Sequence, residues 1–194
     1  MADATTLRKL FIDELRDAYH AEKQLTKALP KLAKASTDPA LRKAFETHLG
    51  ETQQHVKRLE QAFEALDESA KTKVCAGMAG IIEEGSELVK NEEKGAALDA
   101  GLIAGAQRAE HYEMAAYGSL MAWAKVLEEE DVLELLEATL EEEKAADQKL
   151  SELAEGGINE AAVEDEDDDA ESEMVSATDG GERSSGMRTK PRRR

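Results

Sequence analysis

The sequence is short of nearly everything that marks an extracellular, membrane-bound or nucleic-acid-binding protein. Its 194 residues include one cysteine, three prolines and only 4% aromatics. With Cys75 alone, no disulfide framework can form within the chain. The opening MADATTLRKLF has no apolar h-region of the kind a signal peptide carries. Nowhere do apolar residues approach the roughly 18 consecutive positions that read as a membrane span. A soluble cytoplasmic protein with no membrane partner is therefore expected. Positive charge is scarce too: 25 Lys and Arg face 43 Asp and Glu, for a formal net charge of −18. Such a surplus repels nucleic-acid phosphates and acidic membrane surfaces, and it favours cations. Gly-rich phosphate loops, nucleophile elbows and zinc-type Cys/His spacings are all missing.

What is present divides into two parts. From Glu160 onward there are 11 acids and 6 bases, which leaves −13 of the net charge in residues 1–159. Val163, Met174 and Val175 are almost the only larger apolar side chains of that stretch, too few to offset the entropy of ordering it. Residues 160–194 are expected to be a disordered acidic tail with a basic end at Arg188, Lys190 and Arg192 to Arg194. Residues 1–159 are rich in Ala, Leu, Glu and Lys and sparsely broken by Gly and Pro, which predicts an all-α domain.

Four segments carry an apolar stripe at spacings of three and four. The stripes run from Leu7 to Leu32, Leu41 to Leu66, Leu102 to Leu127 and Leu133 to Ala154, and the predicted helices cover 6–35, 38–66, 96–127 and 130–155. Asp38 followed by Pro39 marks the second start, and Gly156 with Gly157 the last stop. Pro30 is expected to kink the first helix. Short links make hairpins of the first and last pairs. About 30 residues between the hairpins, with an amphipathic piece around Met78 to Val89, form a crossover long enough to let the second and third helices run parallel.

Each stripe is interrupted by acids at or beside core positions: Glu22; Glu51; Glu110 and Glu113; Glu143 and Asp147. They fall near mid-helix, about 20 Å from each start at about 1.5 Å per residue, so they meet in one layer. Six or seven carboxylates facing a core cannot all stay ionised without cations. With His55 one turn beyond Glu51, the donor set suits two iron or manganese ions. In the pattern of di-metal carboxylate bundles, Glu22 and Glu110 are terminal ligands, Glu51 with His55 and Glu143 with Asp147 are the paired ligands, and Glu113 is an extra carboxylate. Glu141 and Glu142 read as surface residues, as do His20 and His111. Tyr19 and Tyr117 read as packing residues within reach of a ligand carboxylate, and Cys75 as a buried small residue.

Residues 5–160 resemble the YciE/YciF-type stress proteins, a ferritin-like family. The resemblance is carried by AEKQL (21–25), HLGET (48–52), VKRLE (56–60), the segment from Cys75 through Met78 to Glu83, AEHYEMAAYGSL (109–120) and TLEEEKAADQKL (139–150). It implies a four-helix bundle similar to rubrerythrin, a homodimer and a di-metal site. In the family pattern Gly50 stands where a second Glu is found and position 55 varies, which brings in His48 as a substitute ligand or outer partner. Unlike rubrerythrins, the chain has no Cys₄ segment to serve as its own electron donor. The function expected is handling of dioxygen or peroxide, by ferroxidase, peroxidase or catalase-like chemistry. The alternative is a non-enzymatic acidic bundle acting through association.

Overall fold

A computed structural model describes residues 6–163, and most of the expected tail, from residue 164 on, lies outside them. The described chain forms α1 (Leu7–Ala35), α2 (Pro39–Ala65), α3 (Ala76–Asn91), α4 (Ala96–Leu127) and α5 (Glu130–Leu153), and no strand occurs among these residues. The long helices agree with the sequence-based bounds to within two residues at every end. Local chemistry explains the starts: the Thr6 hydroxyl accepts from the Lys9 N–H, and the Asp38 carboxylate accepts from Ala40 and Leu41, with Pro39 opening α2. Pro30 removes one hydrogen bond, but α1 runs on past it to Ala35.

The end of α5 falls where the glycines place it. Helix α5 closes at Leu153 just before them, Gly157 is non-helical, and residues 159–163 form a separate helical turn beyond the kink. Gly157 sits at φ 129°, where a side chain would be strained, so the glycine redirects the chain.

Side-chain pairs give the helix directions. Tyr19 bonds Glu60 at 2.7 Å and Arg16 bonds Glu68 at 3.0 Å, so α1 and α2 are antiparallel. Gln107 with Ser151 (2.9 Å) and His111 with Asp147 (3.3 Å) show the same for α4 and α5. Arg8 pairs with Glu129 at one end of the bundle, while at the other the buried Asp99 accepts the N–H groups of Thr37 (2.9 Å) and Asp38 (2.6 Å). Helix α4 therefore opposes α1 and runs parallel to α2, as the crossover through α3 allows.

The core is split. Leu25, Leu29, Phe45, Met78, Leu102 and Leu150 belong to one apolar cluster, and Phe11, Leu15, Leu59, Phe63, Leu120 and Leu136 to another. Between them lie Glu22, His48, Thr52, His55, Glu110, Glu113, Thr139 and Glu143, none more than 6% exposed. Thr52 and Thr139 satisfy themselves on backbone carbonyls one turn back. The ionisable members of the layer do not.

Candidate metal centre

Four helices contribute to the layer: α1 gives Glu22, α2 gives His48 and His55, α4 gives Glu110 and Glu113, and α5 gives Glu143. Donor atoms of His48, Glu110, Glu113 and Glu143 all lie within 4.8 Å of one another, as do those of Glu22, His55 and Glu143. Glu143 belongs to both groups, and its two oxygens face different histidines. Oε1 lies 3.0 Å from His55 Nδ1, and Oε2 lies 3.6 Å from His48 Nε2. His48 Nε2 is also 3.3 Å from Glu110 Oε1, and His55 Nδ1 is 3.4 Å from Glu22 Oε1.

These approaches leave the layer unsatisfied. Among the described residues eight buried side-chain N or O atoms have no hydrogen-bond partner, and seven of them are here: Glu22 Oε2, His55 Nδ1, Glu110 Oε2, both oxygens of Glu113 and both of Glu143. Buried polar atoms are ordinarily paired, because an unpaired one costs about 1–3 kcal/mol. Seven in one place, all of them metal-ligand atom types, fit a cation-binding site. Oxygen and imidazole donors suit hard to borderline divalent ions.

Outer partners orient two of the donors. His55 Nε2 lies 2.8 Å from Glu142 Oε2, and Arg58 grips that carboxylate with Nη1 at 2.6 Å and Nη2 at 2.8 Å. With its proton on Nε2, His55 turns the Nδ1 lone pair inward, the arrangement usual for a metal-bound histidine. His48 repeats the device with Nδ1, 3.2 Å from Glu51 Oε2. Tyr117 donates its hydroxyl proton to Glu22 Oε1.

Without a cation the layer neutralises itself through protons. Burial, followed by the neighbouring carboxylates, raises Glu110 and Glu113 well above the ordinary carboxylate value, and burial also raises Glu22. Burial works against a charged His55, but Glu143 and Glu22 outweigh it and push the imidazole up to about 11. Burial likewise opposes the Glu143 anion, yet the adjacent His55 cation holds it below the ordinary value.

Of the seven residues singled out from sequence, the fold gathers Glu22, His55, Glu110, Glu113 and Glu143. Glu51 and Asp147 stand outside both groups. The inward line of α2 passes through His48, Thr52 and His55, so Glu51 falls to one side, where it backs His48 with its side chain 37% exposed. Asp147, one turn past Glu143, faces His111 and Gln107 of α4. Glu142 is not a free surface residue, since it holds both Arg58 and His55. Nor is His20, whose Nδ1 accepts the Cys75 N–H at 3.1 Å. Cys75 is fully buried, with Sγ 2.9 Å from the Tyr112 hydroxyl.

A family model described as a domain of unknown function, DUF892, matches residues 6–163. The chain belongs to the DUF892 family. Protein YciF of Escherichia coli strain K12 is 45% identical over 158 residues, 81% of this chain and 95% of YciF. The crystal structure of the E. coli stress protein YciF matches with a TM-score of 0.77 at 44% identity, covering 80% of this chain and 99% of that one. YcfI of Rhodopseudomonas palustris, for which a structural role has been proposed, gives 0.74 at 41% identity over 77% and 96% of the two chains. A protein of Xanthomonas campestris pv. campestris gives 0.68 at 26% identity over 84% and 99%. Together these matches establish the YciF-like helical fold of this DUF892 chain. None of them carries a reaction.

Proposed function

We propose that this protein holds two divalent cations, iron or manganese, and acts on dioxygen or a peroxide in stress protection, as a cytoplasmic homodimer. The observation that carries the reading is Glu113. Both of its carboxylate oxygens are buried without a partner, beside a Glu143 whose two oxygens face two different histidines. In this reading Glu143 would be shared by two sites, Glu22 and His55 would hold one ion, and His48, Glu110 and Glu113 would hold the other. Two such ions supply or accept two electrons, the capacity shared by ferroxidase, peroxidase and catalase-like reactions. The protein's own part is to orient and to enclose. Arg58 and Glu142 fix the His55 ring, Tyr117 places a hydroxyl proton at Glu22, and apolar clusters bound the layer above and below.

The deciding experiment is metal analysis of protein purified without chelator, followed by assays of Fe(II) oxidation and peroxide loss. About two ions per chain are expected, with ions and activity lost together in Glu143→Ala. A folded protein that arrives metal-free and takes up neither Fe(II) nor Mn(II) rejects the proposal. The second reading, a non-enzymatic acidic bundle acting through association, draws on the structural role proposed for YcfI. It predicts that Glu143→Ala leaves the protein's associations and biological effect intact.

A further inference from the structure

One stretch of this acidic protein is basic. Residues 23–37, the second half of α1 and its end, hold four lysines and no acid. Lys27, Lys31 and Lys34 repeat at spacings of four and three, so they share one side of the helix. All three are exposed, as is Lys90 of α3, and among the described residues none of the four has an ion-pair partner. Lys94 donates to the Lys34 carbonyl at 3.0 Å, which brings a fifth lysine to the same end of the bundle. Helix dipoles favour a lysine in the last turn and account for Lys34 and Lys90. They do not account for Lys27 and Lys31, further back on α1.

These lysines border an apolar groove. A cavity of about 320 Å³ lies between α1, α3 and α4, and Leu25, Leu29, Leu32, Ile82, Val89 and Leu102 line it together with Lys31 and Lys90, one from each facing helix. Leu32, Ile82 and Val89 are only partly buried, so apolar surface is left uncovered between two cations. The one acid among the lining, Glu110, is buried in the layer described above. Glu83, Glu84 and Glu87 of α3 are exposed nearby, but none of them lines the groove, and Glu84 pairs with Arg108 at 3.5 Å.

The chain carries a complement to this face. Past Val163 the sequence reads EDEDDDAESEMV over residues 164–175: eight acids, no base, then two apolar residues. Ala161 lines a cavity with Thr37, Gly95 and Ala96, so the described chain ends beside Lys34 and Lys94. We propose that residues 164–175 dock on the α1–α3 face of their own chain, with the acids of 164–173 along Lys27, Lys31, Lys34 and Lys90 and with Met174 and Val175 in the groove. The reach suffices, since ten residues span at most roughly 35 Å and Lys27 lies only about 10 Å along α1 from Lys34. Exposed ion pairs are individually weak, but a short tether holds the segment at an effective concentration on the order of millimolar. The tether also selects the occupant. A net charge of −18 repels a separate acidic partner, whereas a segment already attached needs no encounter. Such docking requires no metal in the centre.

The test is carbodiimide coupling of carboxylates to lysines in the full-length protein, with the coupled peptides read by mass spectrometry. Lys43 and Lys149 control for the tether, because they lie near the same end of the bundle but on its α2–α5 side. A tethered segment that does not dock couples to Lys43 and Lys149 as often as to Lys27, Lys31 and Lys90. Docking is expected to favour the last three by about fivefold or more, and to lose that preference in 1 M NaCl, where the Debye length is about 3 Å. The double variant Lys31→Glu, Lys90→Glu is expected to lower coupling at the untouched Lys27 by roughly threefold or more. Lys43→Glu with Lys149→Glu leaves coupling at Lys27 unchanged, and thermal melts confirm that both variants fold. Met174→Ser with Val175→Ser is expected to lower coupling at Lys27 by roughly twofold, through the lost apolar contact. Coupling spread evenly over all five lysines, or coupling at Lys27 that survives Lys31→Glu, Lys90→Glu, overturns the proposal. A mixture of unlabelled and ¹⁵N-labelled protein identifies the chain that donates the acids. Coupled peptides that mostly join two isotopes overturn docking within one chain and show contact between copies instead.

Discussion

Around Glu22 and His55 the centre is braced from behind; around His48, Glu110 and Glu113 it is largely unsupported. Tyr117 holds Glu22, and a bidentate Arg58–Glu142 pair holds His55. In the other group only His48 has an outer partner, the half-exposed Glu51, and Glu113 has none. The first half is shaped by the protein before any ion arrives. The second half is shaped by repulsion, and depends on a cation to make its buried carboxylates tolerable. Preorganisation of this sort favours tight, early binding, so the Glu22–His55 half should fill first. Glu143 ties the halves together, since one carboxylate faces both histidines.

The largest effect follows from that shared residue. Glu143→Ala is expected to abolish binding of both ions, read as metal content per chain after equilibration with Fe(II) or Mn(II). Retention of one tightly held ion would show that the halves are independent. Glu113→Met acts on one half alone: one ion is lost and one is kept. The same substitution replaces a buried, unpartnered carboxyl with an apolar side chain of similar size, so metal-free protein should gain about 1–3 kcal/mol of stability. A denaturant midpoint that falls instead would mean that Glu113 has partners in the metal-free fold.

Much of this architecture could be read from the residues alone, because periodicity reports burial. The stripes and the Asp38–Pro39 signal located four helices, and the mid-helix acids located the layer. Assigning individual ligands was harder. His48 and Glu51 lie three positions apart on α2, about 60° on the helical wheel, and the fold turns the histidine inward. The stripe itself passed through His48, which was the available signal. Glu142 could not be read in this way. It is the middle of three consecutive glutamates, and only Arg58 and His55 of another helix distinguish it from its neighbour Glu141. Gly157 is the helix stop that its residue type suggests; what the sequence did not show is the helical turn after it, with Ile158 buried.

A change of pH bears on both halves of the centre. Glu110 and Glu113 keep their protons in the metal-free fold where the unfolded chain, near the ordinary 4.5, has released them. Their contribution to stability is full below that value and is lost as pH rises through their folded-state range. His55, raised from 6.5 to about 11, acts in the same direction at higher pH. Glu143 is lowered, so its opposing contribution changes only below 4.5. Metal-free protein should therefore lose stability between about pH 5 and pH 8, measured by thermal melts. Metal affinity should rise over the same interval, because binding displaces these protons. In a Glu110→Gln, Glu113→Gln double variant these opposite slopes should shrink but persist above about pH 6.5, where His55 still contributes; slopes that stay unchanged would mean that the two glutamates do not carry them.

The smallest effect tests the bracing itself by comparing two glutamates that do the same job. Glu142 and Glu51 each back one histidine, and they are similarly exposed, at 34% and 37%. They differ in what holds them: Arg58 fixes Glu142, while Glu51 has only its own histidine, one turn back on the same helix. Outer partners of metal-bound histidines are worth about 10–100-fold in affinity when they are well fixed. Glu142→Ala should therefore fall in that range at the Glu22–His55 ion, and Arg58→Ala should reproduce part of the loss. Glu51→Ala should cost less, because water can replace a loosely held carboxylate at the His48 ring. Its clearer signature should be kinetic, since Glu51 lines the cavity that leads to His48 and Glu110, and slower uptake of the second ion is expected. Equal losses of affinity in Glu51→Ala and Glu142→Ala would mean that Arg58 adds nothing, and that the two halves are braced alike.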